Sequence, residues 1–153
     1  MSTVYDFTVK DRAGSDVSLR DYEGKVLLIV NTATGCGFTP HYDPLEEMYK
    51  EYKDQGFEIL DFPQFAKIDV NGETADPLFA WLASEKPFNG FGKGVKNAML
   101  SKFAKANNKI YGDKTYIGWN FTKFLIARDG TVLERFEPTD DMDDVKKAVA
   151  AAL

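Results

Sequence analysis

The sequence predicts an α/β domain with a central mixed β-sheet flanked by helices and an N-terminal β-hairpin. Three observations carry this prediction. Val26, Leu27, Leu28, Ile29 and Val30 form an apolar run with no polar side, as a strand covered on both faces requires. Apolar residues at helical spacing follow it, at Leu45, Met48, Tyr49 and Tyr52. Extended and helical patterns then alternate to the end of the chain, the order that builds one sheet with helices against it.

Taken in order, residues 4–19 alternate apolar and polar side chains around Asp11-Arg12-Ala13-Gly14, a hairpin signature. Residues 25–31 read as the first core strand, and the turn Thr34-Gly35-Cys36-Gly37 follows it. Thr39 is placed to cap the next helix with Pro40 at its first position, and Gly56 ends that run. Residues 57–62 and 65–70 are rich in strand formers, separated only by Pro63 and Gln64. Asp76-Pro77 opens a helix bearing Leu78, Phe79 and Leu82 on one face. Residues 87–94 read as a loop and residues 95–106 as a helix through Val95, Met99 and Phe103. Residues 119–126 and 132–136 flank Arg128-Asp129-Gly130 as a second hairpin. A last helix from about Asp140 buries Met142, Val145 and Val149, with Asp140, Asp141, Asp143 and Asp144 favouring its start.

The 153 residues suffice for one domain, residues 1–153, with no linker or repeat. With 44% hydrophobic and 28% charged residues, the chain is globular rather than disordered. A net charge of −5 argues against a nucleic-acid partner. Residues 1–11 show no basic head followed by an apolar run, and no apolar stretch is long enough to span a membrane, so neither secretion nor a membrane is expected. A single cysteine allows no internal disulfide and gives no sign of an oxidising compartment, which leaves the cytoplasm as the expected location. The order of elements, with a thiol at the turn after the first core strand, is the thioredoxin-like layout. Open α/β sheets place their sites at that end.

Cys36 is the main candidate for chemistry. A thiolate at a turn into a helix N-terminus meets amide donors and a favourable dipole, which lower its pKa. Gly35 and Gly37 leave the backbone open to a small substrate. The competing reading is a buried, inert cysteine. Trp119 and Asn120 are the second candidates, because an indole and an amide supply three N–H donors for a thiolate or a departing oxygen; the competing reading of Trp119 is core. His41 and Cys36 are the only residues of their kinds, so no zinc set can be assembled and no metal or cofactor is expected. Gly90-Phe91-Gly92-Lys93-Gly94 follows no strand and does not end in Gly-Lys-Ser/Thr, so it reads as a loop rather than a phosphate cradle.

Together these segments resemble the glutathione peroxidase family. Residues 30–40, Val-Asn-Thr-Ala-Thr-Gly-Cys-Gly-Phe-Thr-Pro, are similar to its active-cysteine motif, with cysteine in place of selenocysteine. Phe65-Ala66-Lys67-Ile68-Asp69-Val70-Asn71-Gly72 and Trp119-Asn120-Phe121-Thr122-Lys123-Phe124-Leu125 resemble two further blocks, in family order. The resemblance makes Cys36 the peroxidatic residue and Trp119 and Asn120 two of its catalytic partners. It also exposes a departure. In the family, a strand ending like Ile59-Leu60-Asp61-Phe62-Pro63 leads into a segment with the catalytic glutamine, then a helix that in many thiol members bears a resolving cysteine. Here Pro63 runs directly to Gln64 and the next block, and Gln64 does not take the glutamine's role. Two parallel neighbouring strands need a crossover of a dozen or more residues. The join is therefore expected to show a break, a bend or an antiparallel pair.

The activity implied is reduction of hydrogen peroxide or organic hydroperoxides, with an external thiol, glutathione or a thioredoxin-like protein, as reductant. The alternative is a catalytically impaired thioredoxin-like binding or scaffold domain.

Overall fold

The computed structural model describes residues 2–11, 13–31, 42–62, 76–88, 117 and 121–153. The expected N-terminal hairpin is present but short. β1 (Thr8–Lys10) pairs antiparallel with β2 (Asp16–Ser18), Val9 facing Val17. The alternation in residues 4–19 predicts longer strands than these three-residue ones. Local side-chain bonds take the ends instead: Asp6 accepts from the Thr3 amide at 2.9 Å, Ser18 accepts from the Arg20 amide at 3.3 Å, and 3-10 turns form at Val4–Asp6 and Leu19–Tyr22. Asp11 Oδ1 closes the hairpin turn by accepting from the Ala13 and Ser15 amides, both at 2.9 Å.

The main sheet has the order β4-β3-β5-β6. β3 (Val26–Asn31) is buried along its whole length, as its two-sided apolar pattern requires. It pairs parallel with β4 (Phe57–Phe62), and α1 (Tyr42–Tyr52) lies between them in the chain. β5 (Lys123–Ile126) runs antiparallel to β3 and to β6 (Val132–Phe136), so the sheet is mixed. α2 (Pro77–Glu85) begins at Asp76, whose carboxylate accepts from the Leu78 amide at 2.9 Å. α3 (Met142–Ala152) begins at Asp141, which accepts from the Asp143 amide at 2.9 Å.

Alternate residues of β3 serve two cores. Val26, Leu28 and Val30 meet Leu45 and Met48 of α1 and Val145 and Val149 of α3. Leu27 and Ile29 meet Leu78, Phe79 and Leu82 of α2, together with Val4, Val9 and Leu19 from the N-terminal segment. Each fully buried aliphatic side chain contributes about 1.5–3 kcal/mol, so β3, buried along all six of its residues, is the best-secured strand among the described residues.

One end of the sheet is stapled. Arg128, in the β5–β6 turn, donates to the carbonyls of Gly24 at 2.9 Å, Gln55 at 2.8 Å and Leu153 at 3.4 Å. Those carbonyls lie just before β3, just before β4 and at the end of α3. Tyr5 Oη donates to the Arg128 carbonyl at 2.6 Å.

The helix start expected at Thr39 and Pro40, the helix expected at residues 95–106, and the Pro63–Gln64 join with the strand expected at residues 65–70 lie outside the described residues.

Candidate active site

Because β3 and β4 are parallel, their last residues, Asn31 and Phe62, share one end of the sheet. β5 enters from that same end, and β6 leaves by it. Cys36 follows Asn31 by five positions in the sequence, and Asn120 immediately precedes Phe121. Cys36, Trp119 and Asn120 themselves lie outside the described residues, as do His41, Gln64 and the glycine-rich stretch at residues 90–94. What is described is the frame from which their segments depart.

That frame is tied together by backbone. The Phe121 amide donates to the Asn31 carbonyl at 2.5 Å, and the Asn31 amide donates to the Thr122 carbonyl at 3.3 Å. The strand expected to run from residue 119 starts only at Lys123, because Phe121 has a φ of 65°. A bulky L-residue rarely adopts that left-handed conformation, since its Cβ crowds the backbone. The side chain of Phe121 is nonetheless fully buried in the core that Val30 and Leu125 share.

Beside this turn stands a buried charged group that sequence reasoning did not single out. Lys123 has no exposed surface, and its Nζ donates to the Phe121 carbonyl at 2.7 Å. Burial pulls its pKa down to about 8, against the opposing pull of Asp140 and Glu137. Glu137, just beyond β6, is 6% exposed. Its Oε1 accepts from Arg135 Nε at 2.5 Å, while Oε2 has no hydrogen-bond partner among the described residues. Burial raises the Glu137 pKa, and the Arg135 charge works against that rise. Arg135 also donates to the Lys86 carbonyl at 3.0 Å and lies over the rings of Phe88 and Phe124, at 5.5 and 5.4 Å, so it links the end of α2 to β6.

A cavity of about 360 Å³ lies between α1 and β4, lined by Val30, Leu45, Tyr49, Ile59 and three acidic residues, Glu46, Glu58 and Asp61. Its carboxylates make it a poor seat for an anionic thiol. Among the described residues no cluster of His, Cys, Asp and Glu is arranged to hold a metal ion, and no helix is long and apolar enough to cross a membrane.

The architecture defines the class first. The thioredoxin Etrx1 from Streptococcus pneumoniae matches with a TM-score of 0.52, covering 95% of this chain and 98% of its own, at 14% identity. The fold is thioredoxin-like, as expected. The family follows from closer matches. The family model for glutathione peroxidase matches residues 4–67. A glutathione peroxidase homolog from Neisseria meningitidis is 40% identical, covering 98% of this chain and 99% of the relative. The glutathione peroxidase of Lactococcus lactis is 43% identical, over 97% and 98%. The crystal structure of T. cruzi GPX1 is 32% identical with a TM-score of 0.74, covering 99% of this chain and 96% of that one. The chain belongs to the glutathione peroxidase family. Family and fold together support a thiol-dependent peroxidase, an oxidoreductase, over a non-catalytic binding module.

The Neisseria alignment runs over 178 positions, more than the 153 residues here, so that relative carries residues without a counterpart in this chain. This agrees with a stretch missing from this chain. The Lactococcus alignment runs over 155.

Proposed function

We propose that this single domain reduces hydrogen peroxide or organic hydroperoxides through Cys36, with Trp119 and Asn120 as hydrogen-bond donors beside it. The observation that carries this reading is the Phe121–Asn31 hydrogen bond. It fastens the residue after Asn120 to the last residue of the strand that leads to Cys36, so both segments start from one place.

The Cys36 thiolate attacks one oxygen of the peroxide. An S–O bond forms, the O–O bond breaks, and the departing oxygen takes a proton and leaves as water or an alcohol. Indole and amide N–H groups suit the negative charge that grows on that oxygen. Cys36 is then a sulfenic acid. A first external thiol condenses with it, releasing water and forming a mixed disulfide. A second thiol, as thiolate, attacks the sulfur of the first; the bond to Cys36 breaks, Cys36 leaves as a thiolate, and the two reductant thiols end as a disulfide. Because Cys36 is the only cysteine, both thiols come from outside the chain, from glutathione or a thioredoxin-like protein. The same dependence favours a reducing compartment, the cytoplasm. The catalytic glutamine of the family has no assigned counterpart in this reading.

The test is peroxide-dependent oxidation of glutathione, and separately of thioredoxin, at substoichiometric protein. Turnover by the wild type that Cys36→Ser abolishes is the expected result. A wild type no faster than background with either reductant would leave the scaffold reading in its place.

A further inference from the structure

The residue that joins the Trp119-Asn120 segment to β5 is held in an unfavourable conformation. A left-handed φ at a bulky residue costs about 1–3 kcal/mol and persists only where its surroundings over-determine it. At Phe121 the surroundings include its buried ring, the hydrogen bond its amide donates to the Asn31 carbonyl, and the Lys123 ammonium on its carbonyl. The third of these is costly. An ammonium without exposed surface loses its hydration, and a neutral donor or an apolar side chain would fill the same space at lower cost. Glu137 and Asp140 supply compensating negative charge, and Arg135 balances Glu137 in turn. The ammonium that holds this carbonyl is thus offset by two carboxylates, one of them paired with Arg135, at the end of the sheet from which the reactive segments depart.

We infer that Lys123 is a positioning residue for the peroxidase reaction: its buried Nζ fixes the left-handed turn at Phe121, and with it the backbone from which Asn120 and Trp119 extend, against the end of β3. The inference rests on the reading that Trp119 and Asn120 work beside Cys36. Lys123 touches no reacting atom in this scheme; it acts through the Phe121 carbonyl on the residues before it.

The test is single-turnover oxidation of Cys36 by hydrogen peroxide, followed by stopped flow in the wild type, Asn120→Ala, Lys123→Met and the double variant. Alkylation of Cys36 by iodoacetamide and urea unfolding accompany each. Both single variants are expected to slow oxidation by roughly tenfold or more, the size of effect a lost donor to a charged transition state produces. The double variant is expected to be no slower than the slower single one, because residues acting through one another are not additive. Alkylation has no departing peroxide oxygen to stabilise, and above the pKa of the thiol, where every variant is fully thiolate, it should stay within about twofold of wild type. A purely structural role would lower the unfolding midpoint and leave the oxidation rate of folded protein unchanged, which overturns the inference. Slow-downs that multiply in the double variant also overturn it, since Lys123 would then act independently of Asn120. An Asn120→Ala variant as fast as wild type removes the site reading itself, whereas a slow Asn120→Ala beside a fast Lys123→Met removes only the positioning role. If Lys123→Met shows no cooperative unfolding, Lys123→Leu, which likewise removes the donor but has a stiffer apolar side chain, is read against the same outcomes.

Discussion

Replacing Lys123 by methionine removes a buried charge while keeping the length of the side chain, and its effect on stability should depend on pH in a defined direction. The lysine pKa falls from 10.5 to about 8 in the folded protein, chiefly through burial. The unfolded chain therefore still holds a proton between those values where the folded chain has released it. Stability rises with pH wherever the unfolded state binds more protons. Below about pH 8 both states are charged, and the cost of burying the ammonium is present in full. Between about 8 and 10.5 that cost is relieved. The fall in pKa corresponds to about 3 kcal/mol, an order-of-magnitude figure for the whole window.

Urea unfolding of wild type and Lys123→Met at pH 7, 8, 9 and 10 reads this directly. Other lysines and the tyrosines titrate in both proteins and cancel in the difference. The difference should be constant near pH 7 and move in favour of the wild type above pH 8, approaching about 3 kcal/mol. A difference that stays flat from pH 7 to pH 10 would mean that the amine keeps its ordinary pKa and is not buried as described, and the argument would fail.

Three other outcomes are expected. Arg128→Ala removes donors to the Gly24, Gln55 and Leu153 carbonyls and should cost about 1–2 kcal/mol in urea unfolding, since the exposed carbonyls regain water; the peroxidase rate per folded molecule should not change, and a loss below about 0.5 kcal/mol would contradict the staple. Gly130→Ala should destabilise more than Gly14→Ala, by about 1–2 kcal/mol, because both have left-handed φ but only at Gly130 does the added Cβ meet the Tyr5 ring, at 2.7 Å; thermal melts giving the reverse order would refute it. Alkylation of Cys36 against pH should show an inflection below the ordinary thiol value of about 8.5, and one at or above it would count against an activated thiolate.

The elements that could be read from sequence are those whose patterns are local and repeated. β3 declared itself because a strand covered on both faces has no polar side, and α3 because Asp141 caps a row ending in Val145 and Val149. The N-terminal hairpin was legible in kind but not in extent. Alternation alone cannot show that Asp6 and Ser18 will bond to nearby amides and turn the chain out of the ladder. β5 starts later than its residue types imply for a related reason: Trp119, Phe121 and Thr122 all favour strands, and only the left-handed φ and the contact with Asn31 reveal that the chain turns at Phe121.

Lys123 stood in plain view in Lys123-Phe124-Leu125-Ile126, on the same side of the strand as buried Leu125. A periodicity argument treats a charge as surface, so the one position where that rule fails is the position it cannot report. Arg135 and Glu137 were hidden further, because only the pairing of Lys123 with Phe136 brings the end of β6 to this place. The departures are not scattered. At the Arg128 end of the sheet the positive-φ positions are Gly24, Gly56 and Gly130, residues that adopt the conformation without strain. At the other end the same conformation falls on a phenylalanine, beside a buried ammonium and a buried carboxylate. Proteins depart from local consistency where function requires it, and an end of the sheet where three such costs coincide is where the reaction is most reasonably sought.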